Sequence, residues 1–154
     1  MLPPFMDAPE APYAILPPGI HWATLEEIEV RFATSERRVW LFEGFVKVVD
    51  ALQHAGCRRL YLDGSFVTGK DSPNDYDGCW DPIGVIGSRL DPVLLDFTNG
   101  RAAQKHKYRG EMFVVTQAGS PGETFLDFFQ TERHTGGRKG IVGLQLDSIP
   151  GQRP

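Results

Sequence analysis

Taken as a string of apolar and polar positions, the chain separates into stretches with a helical or a strand period. Thr24 and Glu27 form a capping-box pattern, and Leu25, Ile28 and Phe32 follow on one face, so a short helix is predicted from about Thr24. Ser35 suits the cap of a second, longer helix. It places Phe42, Phe45, Val46, Val49 and Leu52 at helical spacing and stops at Ala55-Gly56, where glycine takes the left-handed terminal position. Leu60, Tyr61 and Leu62 read as a first strand that ends at Gly64, and residues 75–80 as a second, in which Tyr76 alternates with two acids. Pro92 is placed to open a third helix reaching about Tyr108, with Gly100 as a break inside it. Residues 111–115 form a third strand, bounded by Gly110 and a loop at residues 119–122. Residues 124–130 form a short helix carrying Phe125, Leu126, Phe128 and Phe129. After a turn at Gly136, Gly137 and Gly140, residues 141–146 form a closing strand or hairpin arm. The order is helix, helix, strand, strand, helix, strand, helix, strand, which predicts an α+β domain: a small mixed β-sheet with helices packed on it.

Residues 1–20 depart from this pattern. They hold six of the twelve prolines, at positions 3, 4, 9, 12, 17 and 18, which excludes helix and suits an extended arm, either loose or laid across the body. The expected organisation is a proline-rich arm over 1–20, one domain over 21–147 and a tail over 148–154 that frays from Ser148.

Composition narrows the picture. With 154 residues and 41% hydrophobic content, a single domain can bury a real core. The net charge of −4 and pI near 5.5 supply no broad basic field, so extended electrostatic binding to nucleic acid is not expected, although local contact with RNA stays open. Cys57 and Cys79 are too few for a disulfide framework and lack zinc-ligand spacing, and they read as small buried apolar residues. No run of about 18 apolar residues occurs and no signal-peptide pattern is present, so no membrane association is expected and the cytoplasm is the expected compartment.

The candidate chemistry lies in residues 60–77. In a strand, residues two apart face the same side about 6.6 Å from one another, so Asp75 and Asp77 point together while Tyr76 points into the core. Two such carboxylates raise each other's pKa unless a divalent cation with oxygen preference relieves the repulsion, and Mg2+ or Mn2+ is the natural occupant. Gly64 and Ser65 end the preceding strand, where glycine admits a ligand close to the backbone and a following helical turn directs amides at an anion. Lys70, five residues on, can reach a terminal phosphate as a point charge.

The run Leu62-Asp-Gly-Ser65, nine residues, then Asp75-Tyr-Asp77 resembles the signature of the DNA polymerase beta-like nucleotidyltransferase superfamily, which includes the minimal nucleotidyltransferases. Pro18-Gly-Ile-His21, Leu25-Glu-Glu-Ile28, Gly64-Ser-Phe-Val-Thr68, Pro73-Asn-Asp-Tyr-Asp77, Phe128-Phe-Gln130 and Lys139-Gly-Ile141 are similar to stretches of a small uncharacterised bacterial and phage family of that type. The resemblance implies metal-dependent transfer of a nucleoside monophosphate from an NTP to a hydroxyl on a protein or an RNA. Gly64 and Ser65 would hold the triphosphate, and Asp75 and Asp77 would bind metal. A third carboxylate on a later strand would activate the attacking hydroxyl. Glu111, at the start of the next strand, comes first for that role, with Asp96 inside the third helix, Asp81 and Asp91 as alternatives. Small members of the superfamily often belong to toxin-antitoxin or phage-defence modules, which makes a toxin or antitoxin partner an expectation.

Two departures from the superfamily pattern motivate a second reading. Gly78 follows the second aspartate where a large apolar residue is common, and a glutamate rather than an aspartate would be the third ligand. A catalytically silent binding module, an antitoxin or a regulator, is the alternative. Simpler readings of the other residues also stand. Pro73, Asn74 and Gly78 suit a solvated turn around the two aspartates. His21, His54, His106 and His134 share no ligand spacing. Arg133, Arg138 and Lys139 read as a solvated loop or as charge for a triphosphate, and Phe125, Phe128 and Phe129 as core rather than a base-stacking platform.

Overall fold

The computed structural model describes residues 1–149 apart from Pro121 and Arg133, with the backbone alone at residues 118–120. Five strands form a mixed sheet: β1 (Gly19–Trp22), β2 (Arg59–Asp63), β3 (Tyr76–Trp80), β4 (Gly110–Val114) and, numbered last in the chain, β7 (Gly140–Gln145). Their order across the sheet is β1-β7-β2-β3-β4. The β1–β7 and β3–β4 pairs run parallel, and β2 is antiparallel to both of its neighbours. A small ribbon of β5 (Ala118–Ser120) and β6 (Glu123–Thr124) occupies the segment expected as a loop. The α+β prediction holds.

Because side chains alternate across a strand, the sheet has two unlike faces. Leu60, Leu62, Tyr76, Met112, Val142 and Leu144 point to one of them. They pack with helices α1 (Leu25–Phe32) and α2 (Glu36–His54), which contribute Ile28, Phe32, Leu41, Phe45, Val48 and Leu52, all at most 1% exposed. Each such burial contributes about 1.5–3 kcal/mol. Both predicted caps are present: Thr24 and Glu27 exchange 3.1 Å hydrogen bonds, and Ser35 Oγ accepts from the Arg38 amide. Gly56 ends α2 at φ +93°. The other face is covered only in part, by α4 (Phe125–Phe129), whose Phe129 packs with Tyr61, Cys79 and Ile141. The uncovered end of that face is where the acids gather.

Three sequence expectations need correction. Residues 19–22 form an edge strand, β1, beside β7, so the expected boundary between arm and domain at 20/21 falls inside a strand of the sheet. Four residues behind Pro17-Pro18 are too short a run to display strand alternation. The third helix does not start at Pro92. Residues Pro92–Leu95 make a single 3-10 turn, and α3 (Thr98–Tyr108) is interrupted at once by left-handed backbone at Asn99, Gly100 and Arg101. Asp96 therefore lies outside the helix, where its carboxylate accepts from the Thr98 amide and hydroxyl. The expected fraying does not reach Ser148 and Ile149, since Gln53 Nε2 donates to the Leu146 and Ile149 carbonyls. Residues 150–154 of the predicted tail lie outside the described residues.

The arm lies across the body. Leu2, Ile15 and Leu16 are buried, Met6 and Ile15 form an antiparallel bridge, and the Gly69 amide donates to Ala14. Among the described residues no helix is long and apolar enough to cross a membrane.

Candidate active site

Register builds the site. Asp63 at the end of β2 pairs with Asp77 on β3, and Asp77 pairs with Glu111 on β4. Three acids thus stand in a row across three adjacent strands, on the face that α4 leaves open. Asp75 lies one residue before β3, two before Asp77, and so on the same side. Tyr76 between them is fully buried on the opposite face, its hydroxyl donating to the Tyr108 carbonyl at 2.8 Å. That anchor fixes the pitch of the two aspartates.

Asp75, Asp77 and Glu111 each offer a carboxylate oxygen within 4.8 Å of the others. The protein's own electrostatics register the crowding. Burial, then the charges of Asp75 and Asp63, hold the Asp77 carboxyl well above the usual range, and burial and Glu111 raise Asp75. Glu111 moves the other way. Burial opposes its ionisation, but hydrogen bonds from Lys105, Asp77 and Arg101 outweigh it and hold its carboxyl below the usual range. Lys105 Nζ is 3.1 Å and Arg101 Nη2 2.9 Å from Glu111 Oε1. Three hard oxygen donors, each within 4.8 Å of the others, form a set that suits a hard divalent cation such as Mg2+ or Mn2+.

The other wall is the turn after β2. Gly64 has φ +84°, and a β-carbon there would stand 2.9 Å from Asp77 Oδ2 and 3.0 Å from the Asp77 amide, so only glycine lets the turn lie against the acids. The helical turn expected after it is one 3-10 turn, Ser65–Val67. The Ser65 side chain faces a cavity of about 450 Å3 and has no hydrogen-bond partner among the described residues. Lys70 lines the same cavity with its ammonium unpaired among the described residues. Asp63, Asp75, Asp77, Phe129 and Lys139 line it as well, and Tyr13 and Ile15 of the arm close one side.

Arg38 holds the loop between the turn and β3. Its guanidinium, 5% exposed, donates to the carbonyls of Phe32, Phe66, Thr68 and Lys70 at 2.6–3.2 Å. Arg37 donates to the carbonyls of Pro73 and Asn74, just before Asp75. The solvated-turn reading of this segment does not describe it: the loop is pinned at both ends by arginines from α2.

Gly64, Ser65, Lys70, Asp75 and Asp77 line one cavity, and Glu111, outside its lining, stands within 4.8 Å of the Asp75 and Asp77 carboxylates. The structure separates the alternatives for the third acid. Asp96 is turned to its own chain, accepting from the Thr98 amide and hydroxyl, Asp81 pairs with Arg59 at 2.8 Å, and Asp91 pairs with Lys107. Gly78 also finds its reason. A β-carbon there would meet the Tyr61 carbonyl at 2.4 Å and Met112 Sδ at 2.9 Å, so the methionine fills the space a larger residue would take. Arg133 lies outside the described residues, Arg138 is exposed, and Lys139 turns into the cavity. Asp63, Arg101 and Lys105 were given no role by sequence reasoning. Asp63 carried a signal: an acid two residues after Tyr61 on an otherwise apolar strand, beside the Gly-Ser turn.

Fold and site together define a small α+β domain with an acid-lined cavity at the open end of its sheet. A family profile matches residues 9–145, and the chain belongs to that family, a family of unknown function (DUF6932). No curated protein and no solved structure matches the chain.

Proposed function

We propose that the protein is a metal-dependent nucleotidyltransferase that moves NMP from an NTP to a hydroxyl on a protein or an RNA. The observation that carries the reading is the convergence of Asp75, Asp77 and Glu111 within 4.8 Å, with Asp77 directly against Gly64 of the Gly64-Ser65 turn. Mg2+ or Mn2+ bound by the three carboxylates would supply charge neutralisation at phosphorus and a more acidic nucleophile. Ser65 and Lys70 are the chain's own donors for phosphate oxygens. A new bond forms between the acceptor oxygen and the α-phosphorus, the bond to the β-phosphate oxygen breaks, and pyrophosphate leaves. Glu111 takes the acceptor's proton. Incubation with α-labelled NTPs, Mn2+ and candidate acceptors is the direct test. Label should appear on an acceptor and fall at least 100-fold in Asp75→Ala/Asp77→Ala. No label with any NTP, or label undiminished in the double variant, would sink the reading.

One observation favours a second reading, a silent binding module acting as antitoxin or regulator. Arg101 and Lys105 already occupy Glu111 and compete with a cation for it. Calorimetry separates the two: Mn2+-dependent nucleotide binding supports the enzyme, and its absence supports the silent module. A toxin or antitoxin partner belongs to either reading and is sought by co-purification with the products of adjacent genes.

A further inference from the structure

We infer that Lys139, held at the floor of the cavity by Asp63, is the cation that receives the polyphosphate end of the nucleotide, with Asp63 as its positioning residue. The inference rests on the functional reading above and adds a residue to the site that the nucleotidyltransferase signature does not include.

A triphosphate entering this cavity meets Asp63, Asp75, Asp77, Glu123 and Glu132, all acidic, and needs compensating charge beyond the metal. Two lysines line the wall. Lys70 sits on the loop that Arg38 clamps by its backbone, and its side chain is untethered. Lys139 is different. Its side chain is only 15% exposed, and Nζ lies 3.2 Å from Asp63 Oδ1. The Asp63 side chain is 3% exposed, and that oxygen has no hydrogen-bond partner beyond the ion pair. A buried pair of this kind is a poor stability device, because an apolar pair of similar volume is often as good or better. Its presence beside the Gly64-Ser65 turn calls for another reason. A lysine ammonium has three N–H donors, Asp63 engages one direction, and the others have no partner among the described residues. They are free for an anion in the cavity.

The backbone around Lys139 is built to hold that position. Its amide donates to the Gln130 carbonyl at 2.9 Å, and Thr131 and Arg138 form a bridge one residue earlier. The next residue, Gly140, is wedged so closely that a β-carbon would lie 2.1 Å from the Pro17 carbonyl. Asp63 in turn is the register partner of Asp77. Lys139 leads into β7 and Asp77 lies on β3, the two strands that flank β2, so the cation and the metal carboxylates sit on opposite sides of one buried acid, about two strand spacings apart.

The test uses inorganic tripolyphosphate, pyrophosphate and orthophosphate with Mn2+ at fixed free concentration, titrated into the full chain by calorimetry. These probes do not depend on base preference. Wild type should bind more tightly with each added phosphate. Lys139→Met should weaken tripolyphosphate at least tenfold while leaving orthophosphate within about twofold, and Lys139→Arg should recover most of the loss. Because Lys139→Met strands the Asp63 charge and could unfold the chain, Asp63→Asn/Lys139→Met serves as a folded control, monitored by circular dichroism. It should lose the same dependence on phosphate number. A structural role alone would shift melting without touching that dependence. If wild type transfers label but its phosphate binding is unchanged in both lysine variants, this assignment falls alone. If wild type neither transfers label nor binds tripolyphosphate, the functional reading falls with it.

Discussion

At the scale of single residues, the site is held together against its own charge. Asp77 carries the clearest sign of this, its carboxyl raised well above the ordinary range first by burial and then by Asp75 and Asp63. In the unfolded chain the same group titrates near 3.9. The folded state therefore holds the extra proton above that value, and stability falls as pH rises through the window up to the folded pKa. Asp75 acts in the same direction, whereas Glu111, lowered by its cationic neighbours, adds stability that is lost as pH falls. Asp77→Asn removes the largest conflict, and its amide can still donate to Glu111. The variant should melt above wild type at pH 7.5 by about 2–4 °C for each kcal/mol relieved, with the gap closing toward pH 4.5. Manganese should raise the wild-type midpoint, since a ligand of the folded state at 100 times its dissociation constant adds about 2.7 kcal/mol, and should leave Asp77→Asn unmoved. Thermal melts across pH with and without Mn2+ decide it, and an Asp77→Asn protein that melts lower at pH 7.5 would contradict the account.

At the scale of elements, the loop from Gly64 to Asp75 is placed by α2 rather than by its own sequence. Arg38 reaches from the first turn of that helix to four carbonyls. Arg38→Met would leave those acceptors buried and unpaired, at about 1–3 kcal/mol each where no water enters. A loss of at least about 3 kcal/mol in urea unfolding is expected, together with loss of Mn2+ binding by a site whose ligands remain intact. A variant that unfolds like wild type would show that the clamp is dispensable. This dependence also explains what was legible beforehand. α1, α2, β2 and β7 announce themselves because their apolar periods and caps are local. The pairing of Asp75 with Asp77 was legible for the same reason, since two-residue spacing needs only a strand. Glu111 came ahead of Asp96 because it opens the next strand, but its register with Asp77 was not legible, and nor was the left-handed backbone at Asn99 to Arg101 that displaces the start of α3. Neither is a periodic signal. Arg38 read as one polar position on an amphipathic helix, and nothing local to it reveals a partner thirty residues away.

At the scale of the whole molecule, the arm decides how the site is enclosed. With helices covering one face of the sheet and α4 only part of the other, the acid row would stand at an open edge. Tyr13 and Ile15 supply the missing wall, and the same segment is tied to the loop through Gly69 and to β7 through the Leu16 carbonyl, which accepts from Gly140. Leu2, Ile15 and Leu16 are at most 8% exposed, and full burial of such side chains is worth about 1.5–3 kcal/mol each. The arm is thus part of the domain, although its prolines exclude helix and its sequence shows no strand period. Removing residues 1–16 should lower unfolding free energy in urea by about 4 kcal/mol or more, a large share of a small domain's total. Ile15→Ser separates enclosure from stability. It should cost about 2 kcal/mol, leave most of the chain folded, and open the wall beside Ser65. If the arm encloses the site, Ile15→Ser weakens Mn2+-tripolyphosphate binding severalfold more than Leu2→Ser, which is buried away from the cavity and lowers stability to a similar degree. Equal effects from the two variants would reduce the arm to a stabilising strap.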